Sequence, residues 1–414
     1  MRRYLPLILF VIVLFAPLLV SPKAPARGEL RLVIVTPHVE GIKREFAEAF
    51  SAWHESHFGK PVFVDYRSYG GTSEIVRFFE TASRTLYAKT GTYKIDVVWG
   101  GGDYLFEQQL KKPGYLEGVR LPASLFQAAY PSRQLDGVDL YDASSPPQWF
   151  GAALSSFGII YNRDVLQYLG TPEPKSWHDL ADARLLGWIV AADPARSASA
   201  KYLFMIIVER AMLVASQRGD SEDAGWAQGM GLVRLIASNA RYFTDAGSLV
   251  PNVVASGDAG AGMAIDFFGR AEVDAVGKRL GYVEPAGETI ITSDPIALVK
   301  GAEHRELAIR FIEFVLSEQG QRLWNTRAGA PGGPRLTSLR RLPIMQSVYR
   351  SPANFTDPVD PFTTTFAYIS DPHRKRTFNI LGDLIEVSCI NLLEDLRATR
   401  RAINASPRRA QLEA

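Results

Sequence analysis

"PVFVDYRSYGGTSEIVRFF" (residues 61–79) sets out in miniature the grammar that organises most of the chain. A run rich in β-branched and aromatic residues comes first, then small and hydroxyl-bearing residues, then Ile75, Val76 and Phe79 at helical spacing. That order reads as strand, loop, helix. The loop allows two readings. Thr72 or Ser73 can cap the helix by satisfying a free backbone N–H, or the same N–H groups and the helix dipole can hold an anion or a polar oxygen.

The plan repeats on both sides. "LRLVIVTP" (residues 30–37) is a nearly continuous apolar run and reads as a buried parallel strand. It is followed by Ile42, Phe46, Ala49, Phe50 and Trp53 at helical spacing, with Gly59 as the stop. "KIDVVWGGGDYLFEQQLKK" (residues 94–112) adds a strand at Ile95–Trp99, a glycine turn and a helix from about Asp103. Residues 112–147 dissolve into a loop-rich stretch. A second α/β unit spans roughly 155–288, including a strand, a serine-rich turn and a strongly apolar helix within residues 185–213. The chain then returns to the first unit. Crossings are expected near Ala153–Ile160 and Thr292–Leu298, and one long amphipathic helix from Arg374 to about Ile403.

Length and composition agree. A chain of 414 residues is too long for one ordinary core. With 46 Lys and Arg against 44 Asp and Glu, there is no electrostatic footprint for nucleic acid. The lone Cys389 excludes an internal disulfide and a cysteine-based zinc site. Arg2 and Arg3, the apolar run Leu5–Val20 and Ala24-Pro25-Ala26 have the layout of a secretory signal cleaved after Ala26, with an uncleaved anchor as the alternative. The run is short of the roughly 20 residues a spanning helix needs. No cysteine follows it to carry a lipid.

Catalytic motifs are missing. "GGGD" lacks the G-x-G-x-x-G spacing, no G-x-S-x-G elbow occurs, and the histidines include no H-E-x-x-H pair. The sequence is not expected to be an enzyme.

Several segments in order, "YGGTSEI", "IDVVWGGG", "ALSSFGIIYNRDVL", "MAIDFFGR", "ITSDPIALVKGAEHRELAIRFIEFVLSEQGQRL" and "GAPGGP", resemble the substrate-binding proteins of bacterial ABC importers, in the iron(III)-binding-like, extracellular solute-binding family 1 branch. The resemblance implies an α/β fold of the type 2 periplasmic binding class. Two Rossmann-like lobes would be joined by two crossing hinge strands, with a long C-terminal helix. It implies a signal peptide at 1–26, a discontinuous first lobe at 28–152 plus 293–345, and a second lobe at 153–292. An extension at 346–414 would pack its long helix on the first lobe, through Phe378, Leu381, Leu384, Ile385 and Ile390; a docking surface is the alternative. The protein would work in the periplasm as a monomer, without cofactor, passing a small-molecule solute to an inner-membrane ABC permease.

In this architecture ligands lie beyond the carboxyl ends of strands, between the lobes. The expected contacts from the first lobe are Thr36 and His38, Gly71, Thr72 and Ser73, and Gly101, Gly102 and Asp103. Ser197, Ser199, Asp266 and Phe267 face them from the second, with helix capping as the other role for Asp266. Iron carriers of this branch hold ferric ion with phenolates from adjacent tyrosines. Here that place reads Asp266-Phe267-Phe268-Gly269, and no Tyr-Tyr pair occurs. No metal site is therefore expected. An anionic organic solute, such as a phosphorylated sugar or a phosphonate, fits the hydroxyls, glycines and helix N-termini better. An iron(III) receptor and a ligand sensor acting on a signalling partner are the alternatives.

Overall fold

The computed structural model describes residues 30–364 and 371–408. The expected signal and its cleavage point after Ala26 lie outside the described residues.

The first lobe is built on a seven-stranded sheet. Strands β1 (Leu30–Val35), β2 (Val62–Arg67) and β3 (Val97–Trp99) are parallel, with β1 between the other two. β4 (Leu116–Glu117) pairs antiparallel with the end of the interior strand at Thr292–Val299. Residues 112–147 are more ordered than their composition suggests. They hold β4, a helix at Ala123–Ala129 and a small hairpin of β5 (Gln134–Leu135) and β6 (Val138–Asp139).

β7 (Phe150–Ser155) ends the first pass through this sheet, and β8 (Phe157–Asn162) starts the second sheet. Both strands are buried along their whole length, and Ser156 alone separates them. The second sheet runs β10-β9-β11-β8-β12, with β9 at Ile189–Ala192, β10 at Ala240–Thr244, β11 at Ala261–Ile265 and β12 at Leu280–Val283. The return is β13 (Thr292–Val299), which lies wholly in the first sheet, antiparallel to β3 and β7. The second crossing is therefore residues 284–291, just ahead of the expected place. β14 (Leu342–Pro343) completes the first sheet beside β7.

The C-terminal extension departs from expectation twice. Val348 and Phe355 join the first lobe's core, but Phe378, Leu381, Ile385 and Cys389 join the second lobe's. The long helix thus packs on the second lobe, not the first. It is also not continuous: Asp371–Ile385 runs into a widened π-type turn at Glu386–Ile390, and a separate helix follows at Leu393–Ala405. The reason lies in the helix Ala198–Arg218. Every residue from Tyr202 to Glu209 in it is buried, so its apolar surface goes all the way round. Such a helix needs cover on every side. The sheet covers one face, and the helix Glu222–Ser238 and the C-terminal helix cover the rest.

Leu381 is fully buried in that interface. Leu381→Ala is expected to destabilise the protein by about 2–4 kcal/mol, read from urea denaturation. A helix lying free in solution would leave the midpoint unchanged.

Candidate functional site

The loops after β1, β2 and β3 face those after β9, β10 and β11 across a cavity of about 600 Å³ between the lobes. This is the strand-end position where open α/β sheets place ligands.

The floor is a buried charge cluster. Asp294, on β13, presents Oδ1 to the N–H groups of Gly101 (2.7 Å) and Gly102 (3.2 Å). Its Oδ2 lies 2.6 Å from Arg341 Nη1 and 2.9 Å from His38 Nε2. Arg341 Nη2 donates to Ser155 Oγ at 2.7 Å, where the chain leaves the first lobe. Its guanidinium also lies 4.3 Å over the ring of Phe267, from the second lobe. Thr36 Oγ1 accepts from the His38 backbone N–H at 3.1 Å and meets Nδ1 at 2.9 Å. A neutral imidazole protonated at Nε2 satisfies all three of Thr36, His38 and Asp294. Burial pushes His38 below its ordinary value, although Asp294 opposes the shift. Burial alone would raise the Asp294 carboxyl, but Arg341, His38 and the Gly101 N–H hold it well below the carboxylate range.

The walls are helix starts. The helix Thr72–Ala82 has Gly71 as its N-cap, and Glu74 Oε2 accepts from the Gly71 N–H at 3.0 Å. Neither Thr72 nor Ser73 caps, so the hydroxyl of Thr72 is left for the cavity it lines. Opposite, Ser197 caps the helix Ala198–Arg218 by accepting from Ala200 N, and its Oγ lies 3.1 Å from Ser199 Oγ. The walls are close: a Cβ on Gly71 would lie 3.4 Å from the Arg196 carbonyl oxygen. Arg196 pairs with Asp245 at 2.7 Å. Arg77, exposed at the mouth, forms no ion pair among the described residues.

Of the residues expected from the sequence, His38, Gly71, Thr72, Gly101, Gly102, Ser197, Ser199 and Phe267 line this cavity. The other four do not. Thr36 is buried behind His38, which it orients. Ser73 lines a smaller neighbouring recess. Asp103 accepts from the Tyr202 hydroxyl and lines a different pocket. Asp266 has no exposed surface; Oδ2 accepts from Ser156 N at 3.1 Å and Oδ1 from Phe267 N at 2.8 Å. It is the first helical residue rather than the cap, which is Ile265, and it braces the first crossing.

Sequence reasoning missed Asp294, Arg341, Ser155, Arg77 and the loop Asp245–Ser248. The loop repeats the strand, small-residue loop, helix pattern after β10 and was findable. Asp294 is a charge inside the apolar run "SDPIALV", also a usable signal. Arg341 has no local signal.

Burial pushes the Asp266 carboxyl up to about 6, against the pull of Arg270. The folded value lies above the unfolded one near 3.9, so this group's stabilisation is full below about pH 4 and lost as pH rises through about 6. The difference is worth roughly 3 kcal/mol. His38 acts oppositely, since its lowered value withdraws stability as pH falls below about 6.5. Asp266→Asn is expected to remove the first contribution alone. Urea midpoints measured from pH 4 to 8 should therefore fall more steeply on acidification in the variant than in the parent.

A family model described as bacterial extracellular solute-binding protein matches residues 96–342. The phosphoglycerate transport regulatory protein PgtC of Salmonella typhimurium is 24% identical over 171 residues, 41% of this chain and 39% of that protein. The chain thus matches about two fifths of that relative's length. Iron uptake protein A1 of Synechocystis is 26% identical over 267 residues, 57% of this chain and 68% of that one. Among solved structures, the periplasmic binding protein AfuA of Actinobacillus pleuropneumoniae, with fructose-6-phosphate bound, superposes with a TM-score of 0.64 at 20% identity, covering 87% of this chain and 99% of that one. Iron-bound HitA of Pseudomonas aeruginosa gives 0.56 at 15% identity, covering 89% and 99%. These likenesses carry the two-lobed periplasmic binding fold. With the family model spanning more than half of its length, the chain belongs to the bacterial extracellular solute-binding proteins.

Proposed function

We propose that this protein is the periplasmic receptor of an ABC importer and captures a small phosphorylated organic anion, such as a sugar phosphate, between its lobes for delivery to an inner-membrane permease. The observation that carries this reading is the pair of helix N-termini, at Thr72 and at Ser197–Ala198, that line one cavity from opposite lobes. Free N–H groups and aligned peptide dipoles favour an anion at such a place. Arg77 adds a positive charge at the mouth, whereas Arg196 and Arg341 are matched by Asp245 and Asp294. The rings of Phe267 and Phe268 offer an apolar face to the body of the solute.

Two named relatives support the ligand class: PgtC by its association with phosphoglycerate, and AfuA by its bound fructose-6-phosphate. Ferric ion fits this lining less well. A guanidinium is buried in the floor, and phenyl rings stand where phenolates are needed. The word "regulatory" in the name of PgtC favours a second reading, in which the same closure reports the solute to a signalling partner.

Calorimetry of the purified protein against fructose-6-phosphate, phosphoglycerate, inorganic phosphate, ferric citrate and spermidine tests the class. A phosphate ester should bind with one-to-one stoichiometry; saturable binding of ferric citrate or spermidine alone would sink the reading. Because Thr72 does not cap, Thr72→Val should leave stability within about 0.5 kcal/mol of the parent. The affinity for the ester should fall roughly tenfold to a hundredfold, the worth of a hydrogen bond to a charged oxygen.

A further inference from the structure

Phe378 lies outside the cavity and touches both lobes. Its ring centroid is 4.2 Å from that of Tyr104, in the first lobe, and 4.8 Å from that of Tyr202, in the second. Lys201 Nζ sits 5.0 Å over the same ring. The Tyr202 hydroxyl donates to Asp103, so a polar contact spans the junction beside the aromatic one. Phe378 is only 5% exposed.

The rest of its helix is fixed to the second lobe. Thr377 donates to Glu209 on the helix Ala198–Arg218. Gly382 lies against the loop that leads into Ser197; a Cβ there would come within 3.3 Å of the Pro194 carbonyl oxygen. The C-terminal helix thus travels with one cavity wall, while Tyr104 follows the glycine loop of the other.

We infer that Phe378 is an inter-lobe clasp, by which the C-terminal helix docks on Tyr104 and favours the closed arrangement of the cleft. The inference rests on the reading that the lobes move to capture a solute. Phe378 keeps Tyr202 and Lys201 in any arrangement, because all three ride on the second lobe. Its contact with Tyr104 exists only while the lobes are this close. An interaction made in one state alone shifts the equilibrium by its own free energy. One aromatic contact corresponds to roughly a two- to tenfold change in the ratio of closed to open protein.

The test uses the full chain without ligand, so it stands whatever solute proves to be bound. Spin labels at exposed Lys60, on the first lobe, and Arg218, on the second, report the inter-lobe distance distribution by double electron–electron resonance. Tyr104→Ala leaves the helix docked on the second lobe and should add a longer-distance population. Phe378→Leu, which keeps the packing apolar, should do the same. The double variant should add no more than either alone, since both remove one contact. An unchanged distribution in Tyr104→Ala, or effects that add in the double variant, would overturn the clasp. A solute that closes the parent but binds Tyr104→Ala several-fold more weakly would support both this inference and the proposed function. Failure of every tested solute to bind, with the distance shift present, would count against that function alone.

Discussion

The carboxylate of Asp294 is the tie on which the first lobe's half of the cleft depends. A charge in a fully buried strand is intolerable unless each lone pair finds a donor. Here the glycine loop after β3 supplies two, and the histidine after β1 and the arginine before β14 one each. Remove any of these and the others face a charge with too few partners. Arg341 extends the tie further, to Ser155 at the crossing and to the face of Phe267 on the opposite lobe. One acidic side chain thereby sets the geometry of three loops, a hinge and an inter-lobe contact.

That arrangement changes what the glycine loop is for. Its φ values, 86°, 111° and 89° at Gly100, Gly101 and Gly102, turn the N–H groups of Gly101 and Gly102 toward a common point, as an anion-binding loop does. The anion is the protein's own. With these donors engaged by Asp294, the helix starts at Thr72 and Ser197 are, under the proposed function, the open donors a solute would meet. The floor then contributes shape and an aromatic face, because its charges cancel internally.

How much of this the sequence disclosed follows from the distance over which each interaction acts. The strand, loop and helix units were legible because periodicity is local, and so were the loops that reach the cavity. What fills those loops was not. Asp294 lies 193 positions from Gly101, and Ser156 lies 110 positions from Asp266. Asp266 was correctly read as an acid at a strand end, yet its partner is the backbone of a distant crossing. The C-terminal helix shows the same split: its apolar stripe was visible, but its partner had to be inferred from another helix that is apolar on every face. That clue was present in "YLFMIIV" and points to the second lobe.

Under the proposed function, motion between the lobes is confined to few places. Ser156 is the single residue between two fully buried strands, and its N–H is held by Asp266. The second crossing, residues 284–291, starts at Glu284, which accepts from that same serine hydroxyl and from Arg270. Rotation must then be absorbed by a handful of dihedrals at one joint, while each lobe moves as a packed body. Under the proposed function this has a consequence for selectivity. A solute that satisfies only the Thr72 wall or only the Ser197 wall binds open and closed protein alike and shifts nothing, however tightly it is held. Only a molecule long enough to engage both helix starts has differential affinity for the closed state. Discrimination thus falls on the span and the two ends of the solute more than on its net charge.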